Sequence, residues 1–104
     1  MMNQNLFELF TADPVEYNMK HLKTQLFMAL ISLIRQKGWS QADAARELHV
    51  SAPRMSNLFK GYLEKFSIDT LLEMLVRVGY KLEADFVPDQ QEQPLRMTLK
   101  KAML

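Results

Sequence analysis

The side chains best suited to chemistry in this chain are few, and they lie far apart. His49 stands in "LHVSAP", between Leu48 and Val50 and four residues ahead of Pro53. His21 is the other histidine, in a different part of the chain, and neither has a second ligand at helical spacing. Zinc and related metals are held by clustered His, Cys and carboxylate groups. The sequence contains no cysteine, which excludes disulfides and thiolate centres, and no metal is expected. Serine, histidine and aspartate all occur, but without the spacing of a nucleophile elbow or a phosphate loop. Only three glycines are present. The chain is therefore read as a non-enzyme with no catalytic residues and no cofactor.

Binding chemistry is better represented. Net charge is only +1, yet residues 35–65 carry Arg35, Lys37, Arg46, Arg54, Lys60 and Lys65 against Asp43, Glu47 and Glu64. The stretches on either side are each slightly acidic. Such an excess matters for a polyanionic partner if the cations share a face. The same region gathers short polar groups in "SAPRMSNLFK", where serine, asparagine, arginine and lysine can bond base edges or phosphates.

These groups need elements to position them. At 104 residues and 48% apolar composition, the chain suits one domain with a modest core. Its longest apolar run, "LFMALI" extended through "SLI", is too short to span a bilayer. The start "MMNQNLFELF" lacks the basic opening and long apolar run of a signal peptide. A soluble cytoplasmic protein is expected.

Asp13-Pro14 reads as a helix start, an N-cap acid followed by proline at the first helical position. Met19, Leu22, Leu26, Leu30 and Leu33 then recur at spacings of three and four. Phe27, Ile31 and Ile34 widen the stripe, which predicts a core-facing helix over 14–37 ended by Gly38. The methionines Met19, Met28, Met55 and Met74 are expected to fill the core. Ser40 with Asp43 forms an acidic capping box for "QADAAREL". Ser51 caps a second short helix ended by Gly61, with Pro53 in its first turn, where a missing N–H costs no helical bond. "GYLEKF" reads as a loop. Ser67 caps a helix carrying Ile68, Leu71, Leu72 and Leu75, and Gly79 stops it. "YKLEADF" alternates strictly, as a half-buried strand does. "PDQQEQP" reads as a linker, and "LRMTLKKAML" is amphipathic under either a strand or a helix period. The expected organisation is an arm over 1–13, a domain over 14–87, and a linker and tail over 88–104.

Two short capped helices about three residues apart suggest a helix-turn-helix. Ala44 and Ala45 allow close crossing, and Leu48, Val50, Met55 and Leu58 plug the interface. The alternative is a plain helical hairpin inside a bundle, but the outer face of the second helix is polar and basic. The stretch "SQADAARELHVSAPRMSNLFKG" resembles the helix-turn-helix of Xre/Cro-type repressors. The continuation "FSIDTLLEMLVRVGYKLEADF", a capped helix, a glycine and one strand, is similar to the HigA-like antitoxins. The resemblance covers roughly residues 35–87. It implies a mainly all-α, compact Xre/Cro-like domain with one C-terminal β-strand.

The resemblance also implies a function. The expected DNA-binding residues are Gln41, Ser51, Ala52, Pro53, Arg54, Ser56, Asn57, Lys60 and Lys65. Arg54 and Asn57 would read guanine and adenine, and the lysines, with Arg46, would hold phosphates. The turn residue is usually glycine in this family; here it is His49, expected at positive φ at roughly 1 kcal/mol of strain. A lone strand leaves unpaired edges, so Tyr80, Leu82, Ala84 and Phe86 are expected to meet a second copy in a homodimer on a palindromic operator. The alternative is a hairpin between this strand and "LRMTL". The implied role is an autoregulating, nucleoid-associated repressor that neutralises a small mRNA-interferase toxin. The ends "NLFELFTADPVEY" and "PLRMTLKKAML" are the candidate toxin-binding segments. A phage-type repressor without a toxin, and a helical protein-interaction module, are the competing readings.

Overall fold

The computed structural model describes residues 13–102. The segment "NLFELF", and all of the N-terminal arm but Asp13, lie outside the described residues. Among the described residues four α-helices run in order: α1 (Pro14–Lys37), α2 (Gln41–Leu48), α3 (Ala52–Phe59) and α4 (Ile68–Val78). A 3-10 turn, Leu63–Lys65, falls in the connection expected to be a loop, and β1 (Tyr80–Phe86) and β2 (Leu95–Lys101) follow α4. The mainly helical fold class is as expected.

Each helix begins where a short polar side chain satisfies a backbone N–H that has no helical acceptor. Asp13 Oδ1 accepts from the Val15 N–H at 3.0 Å, and Ser67 Oγ accepts from Thr70 at 3.1 Å. At α2 the capping box is complete: Ser40 Oγ accepts from the Asp43 N–H at 3.0 Å, while the Ser40 N–H donates to Asp43 Oδ2 at 3.4 Å. Gly38 and Gly79 end α1 and α4 in the left-handed region, with φ of 71° and 111°.

The core lies where α1, α2, α3 and α4 meet. Leu30 and Ile34 of α1, Leu48 of α2, Leu58 of α3, and Leu71 and Leu75 of α4 are fully or almost fully buried. Phe66, between the 3-10 turn and α4, is buried with them. Ala44 and Ala45 are buried at the α2–α3 crossing, and Val50 is half-buried against the core. Burial of an aliphatic side chain of this size contributes about 1.5–3 kcal/mol. Among the described residues no helix is long and apolar enough to cross a membrane.

Two sequence expectations are corrected here. The predicted stripe of α1 is buried only from Leu26 onward. Val15 is 69% exposed, Met19 52% and Leu22 37%, whereas Leu26 is 7% exposed. A helix of 24 residues is about 36 Å long, and the other described elements leave the stripe of its first half exposed. Met28 is exposed too, so of the four methionines expected as filler only Met55 and Met74 are buried.

The second correction concerns the strand. β1 has a partner within the chain: it pairs antiparallel with β2 in a two-stranded sheet, from Tyr80↔Lys101 to Phe86↔Leu95. The tail thus takes the strand period, as the alternative reading had it. Pairing puts Leu82, Ala84 and Phe86 on one face with Leu99, Met97 and Leu95. The opposite face is charged. There Glu83 receives Lys100 at 2.7 Å and Lys81 at 3.4 Å, and the Lys100 contact holds its carboxyl below the usual range.

Candidate nucleic-acid interface

Helix α3 turns about 100° per residue, so its eight residues divide into faces. Met55 and Leu58 point into the core. Opposite them, at spacings of four, lie Ala52, Ser56 and Lys60, with Pro53 and Asn57 beside them. Ala52, Pro53 and Lys60 are exposed, and Ser56 and Asn57 are half-buried. These five form one outward strip of short or flexible side chains on a helix whose back is locked by packing.

Arg54 lies on the flank of that strip. Its guanidinium carbon sits 4.8 Å from the ring centroid of buried Phe66. A cation over an aromatic face at this distance gains about 0.5–1 kcal/mol when the site is exposed. The guanidinium is thus engaged over Phe66 on the flank of the strip. The resemblance implied base readout for Arg54, and the local sequence carried no sign of Phe66, twelve residues on.

The helix starts differ in what they offer an anion. At α3 the Arg54 N–H is taken by Ser51 Oγ at 3.3 Å, the Met55 N–H by the Ser51 carbonyl at 3.0 Å, and Pro53 has no N–H. Only Ala52 keeps an outward N–H in that first turn. At α2 the Asp43 and Ala44 N–H groups go to Ser40, which leaves those of Gln41 and Ala42 at the opening turn. The opening turn of α2 therefore keeps two outward N–H groups and that of α3 one, and Ser51 acts as a cap.

The cations also divide. Arg46 donates to Asp43 Oδ1 at 2.6 Å, and this contact, with the bonds to Ser40, holds the Asp43 carboxyl below the usual range. Lys37 lies 5.8 Å from the centroid of the Trp39 ring. Lys60 at the end of α3 and Lys65 in the 3-10 turn are exposed and enter no ion pair among the described residues. Phe59 and Tyr62, partly exposed beside Lys60, are aromatic neighbours that the sequence reading passed over.

The turn between α2 and α3 hangs on His49. Its φ is 59°, and among the described residues it is the one non-glycine residue at positive φ. Its N–H donates back to the Ala45 and Arg46 carbonyls, closing α2. The ring is anchored as well: an Arg77 Nη1 lies 2.9 Å from His49 Nδ1, and Arg77 Nη2 donates to Glu73 at 3.1 Å. Arginine has donors alone, so Nδ1 accepts here and the ring proton is on Nε2. The turn is thus tied to α4, a link between residues 28 positions apart that no local pattern could announce. Arg77, in the last turn of α4, reaches the joint between α2 and α3. No group of three or more metal-ligating residues exists among the described residues.

A family model described as a helix-turn-helix domain matches residues 10–86, about three quarters of the chain. No curated protein matches it.

Proposed function

The chain belongs to the helix-turn-helix domain family of DNA-binding regulators, and we propose that it is a dimeric transcriptional repressor that is also an antitoxin. The observation that supports base reading most directly is the outward strip of α3. In a major groove, Asn57 suits adenine, Ala52 and Pro53 suit a thymine methyl, and Ser56 suits either kind of edge. Lys60 and Lys65 take phosphates, with Gln41 at the start of α2 and Ser51 at that of α3. Arg54 reaches guanine or a phosphate by swinging off Phe66.

A second copy is proposed at the hairpin. β1 is bonded on one edge by β2 and, among the described residues, has no strand on its other edge. Phe86 is 69% exposed, Leu95 49% and Met97 50%. A two-stranded sheet with a bare apolar face is marginal by itself. Antiparallel pairing through Tyr80, Leu82, Ala84 and Phe86 about a twofold axis would set two α3 helices on a palindromic operator. The antitoxin role rests on the resemblance of residues 35–87 to HigA-like proteins, with a small mRNA-interferase toxin as partner and the cytoplasm as its place of action.

The test is binding of the whole chain to the DNA upstream of its own gene, with random competitor. Specific binding at least about a thousandfold tighter than random, together with a dimer in sedimentation at micromolar concentration, is the expected result. Equal affinity for both DNAs would reject the repressor and leave the protein-interaction module. The toxin is tested separately, by whether co-expression relieves the toxicity of the protein encoded by the neighbouring reading frame. If it does not, a repressor without a toxin remains.

A further inference from the structure

The first half of α1 carries an apolar stripe that stays exposed. Val15, Met19, Leu22 and Leu26 follow a four-three-four spacing, the seam of a helix that packs lengthwise against another helix. Exposure falls along it, and only Leu26 reaches the core. At 100° per residue, Glu16 and Lys23 border the seam on one side and Asn18 and Gln25 on the other.

We infer that this seam pairs with the same seam of a second copy, antiparallel about a twofold axis that passes between Lys20 and His21. Three observations point to a second copy. The first is spacing. Four-three-four reads the same in both directions, so the seam fits its own reverse: Met19 lies opposite Leu22 of the second copy, and Val15 opposite the rim of Leu26. The second is charge complementarity. Antiparallel packing brings equivalent flanks together, so Glu16 meets Lys23 of the second copy, twice by symmetry, and Asn18 meets Gln25. Parallel packing would set unlike flanks together, Asn18 against Lys23, and form no charge pair. Both charges are available. Glu16 is held only by Lys20 at 3.4 Å, an exposed pair one helical turn away, and such pairs contribute little. Lys23 enters no ion pair among the described residues. The third is the wall beside the seam. Met19, Lys23 and half-buried Ile68, at the start of α4, line a groove along the same side, which extends the apolar surface offered to a second helix. Three turns of seam are small against the roughly 1,200 Å² that stable complexes bury, so the pairing is weak and concentration-dependent. It is separate from DNA binding and from the pairing proposed at the hairpin, and rests on neither.

The chain has no cysteine, so one introduced thiol reports on this surface alone. Helices in contact lie about 8–10 Å apart, within reach of a short bis-maleimide between Met19→Cys in two full-length copies. Met28→Cys, equally exposed on the opposite side of α1, is the control. Met19→Cys is expected to cross-link between copies at least about tenfold faster. In the Met19→Cys chain, Glu16→Lys or Lys23→Glu alone places two like-charge pairs across the seam and should weaken self-association about tenfold. An equimolar mixture of those two variants restores both opposite-charge pairs and should recover the cross-link. Equal rates at Met19→Cys and Met28→Cys would overturn the inference and leave the stripe to some other cover. A fast cross-link indifferent to the charge reversals would overturn it too, because the antiparallel register requires Glu16 opposite Lys23.

Discussion

The helix-turn-helix unit and the β-hairpin are similar in size and opposite in how they treat apolar surface. In α2 and α3 every large aliphatic side chain is buried, and apart from Phe59 what faces outward is polar, charged or small. In the hairpin the alternation is just as regular, yet its apolar face is half-buried at Leu82 and Leu99 and open beyond them. The first unit is finished by α1 and α4, and its exposed strip is free to be read by a partner. The second is finished only near its base, where α4 abuts β1. A regular pattern thus says that a face wants cover, and says nothing of whether the chain provides it.

The largest expected effect tests this contrast directly. Leu58→Ala should cost about 2–5 kcal/mol in urea or thermal unfolding, whereas Leu95→Ala should cost less than about 1 kcal/mol in the dilute protein. Equal costs would erase the distinction. Next is Asn57→Ala, expected to lose about 1–3 kcal/mol of discrimination between specific and random DNA while leaving the melting temperature unchanged. Arg54→Ala should lose less discrimination than Asn57→Ala, since Arg54 is engaged over Phe66; the reverse order would put Arg54 in the outward strip.

A smaller effect belongs to the cap of α2. Ser40→Ala should cost about 1 kcal/mol. Asp43, its partner in the box, is held below the usual carboxylate range by Arg46 and Ser40. A depressed folded-state value means that the ionised group favours the fold above the ordinary range and loses that contribution as pH falls through the lowered value. The difference in melting temperature between the native chain and Asp43→Asn should therefore be full at neutral pH and close below an ordinary value near about 3.9. The smallest effect is expected for His49→Gly. Relief of positive φ gains about 1 kcal/mol, offset by loss of the exposed bond to Arg77. A net change under about 1 kcal/mol is expected, larger in an Arg77→Ala background, where nothing is lost. No difference between backgrounds would mean that Arg77 does not hold the turn.

How much the sequence revealed follows from the range of each interaction. Ser40, Ser51, Ser67 and Asp13 were readable as caps because a cap bonds two or three residues ahead. His49 was expected as a left-handed turn residue because the resemblance puts it where the family usually has glycine, and its φ of 59° bears that out. The helix-turn-helix and its outward strip follow from such local rules together with helical periodicity. Periodicity also marked the stripes of α1 and β1 as apolar. It could not say that α1 is buried only from Leu26 onward, because that depends on where the rest of the domain ends. Nor could it choose between a second copy and the tail as the partner of β1, because both satisfy the same edge. The seat of Arg54 on Phe66 and the tie from Arg77 to His49 join residues that meet only once the helices have packed. Local hydrogen bonding and side-chain period are properties of the chain itself. Which apolar faces find cover, and which charges are already engaged, was decided by tertiary structure, because burial depends on what the remaining elements bring alongside.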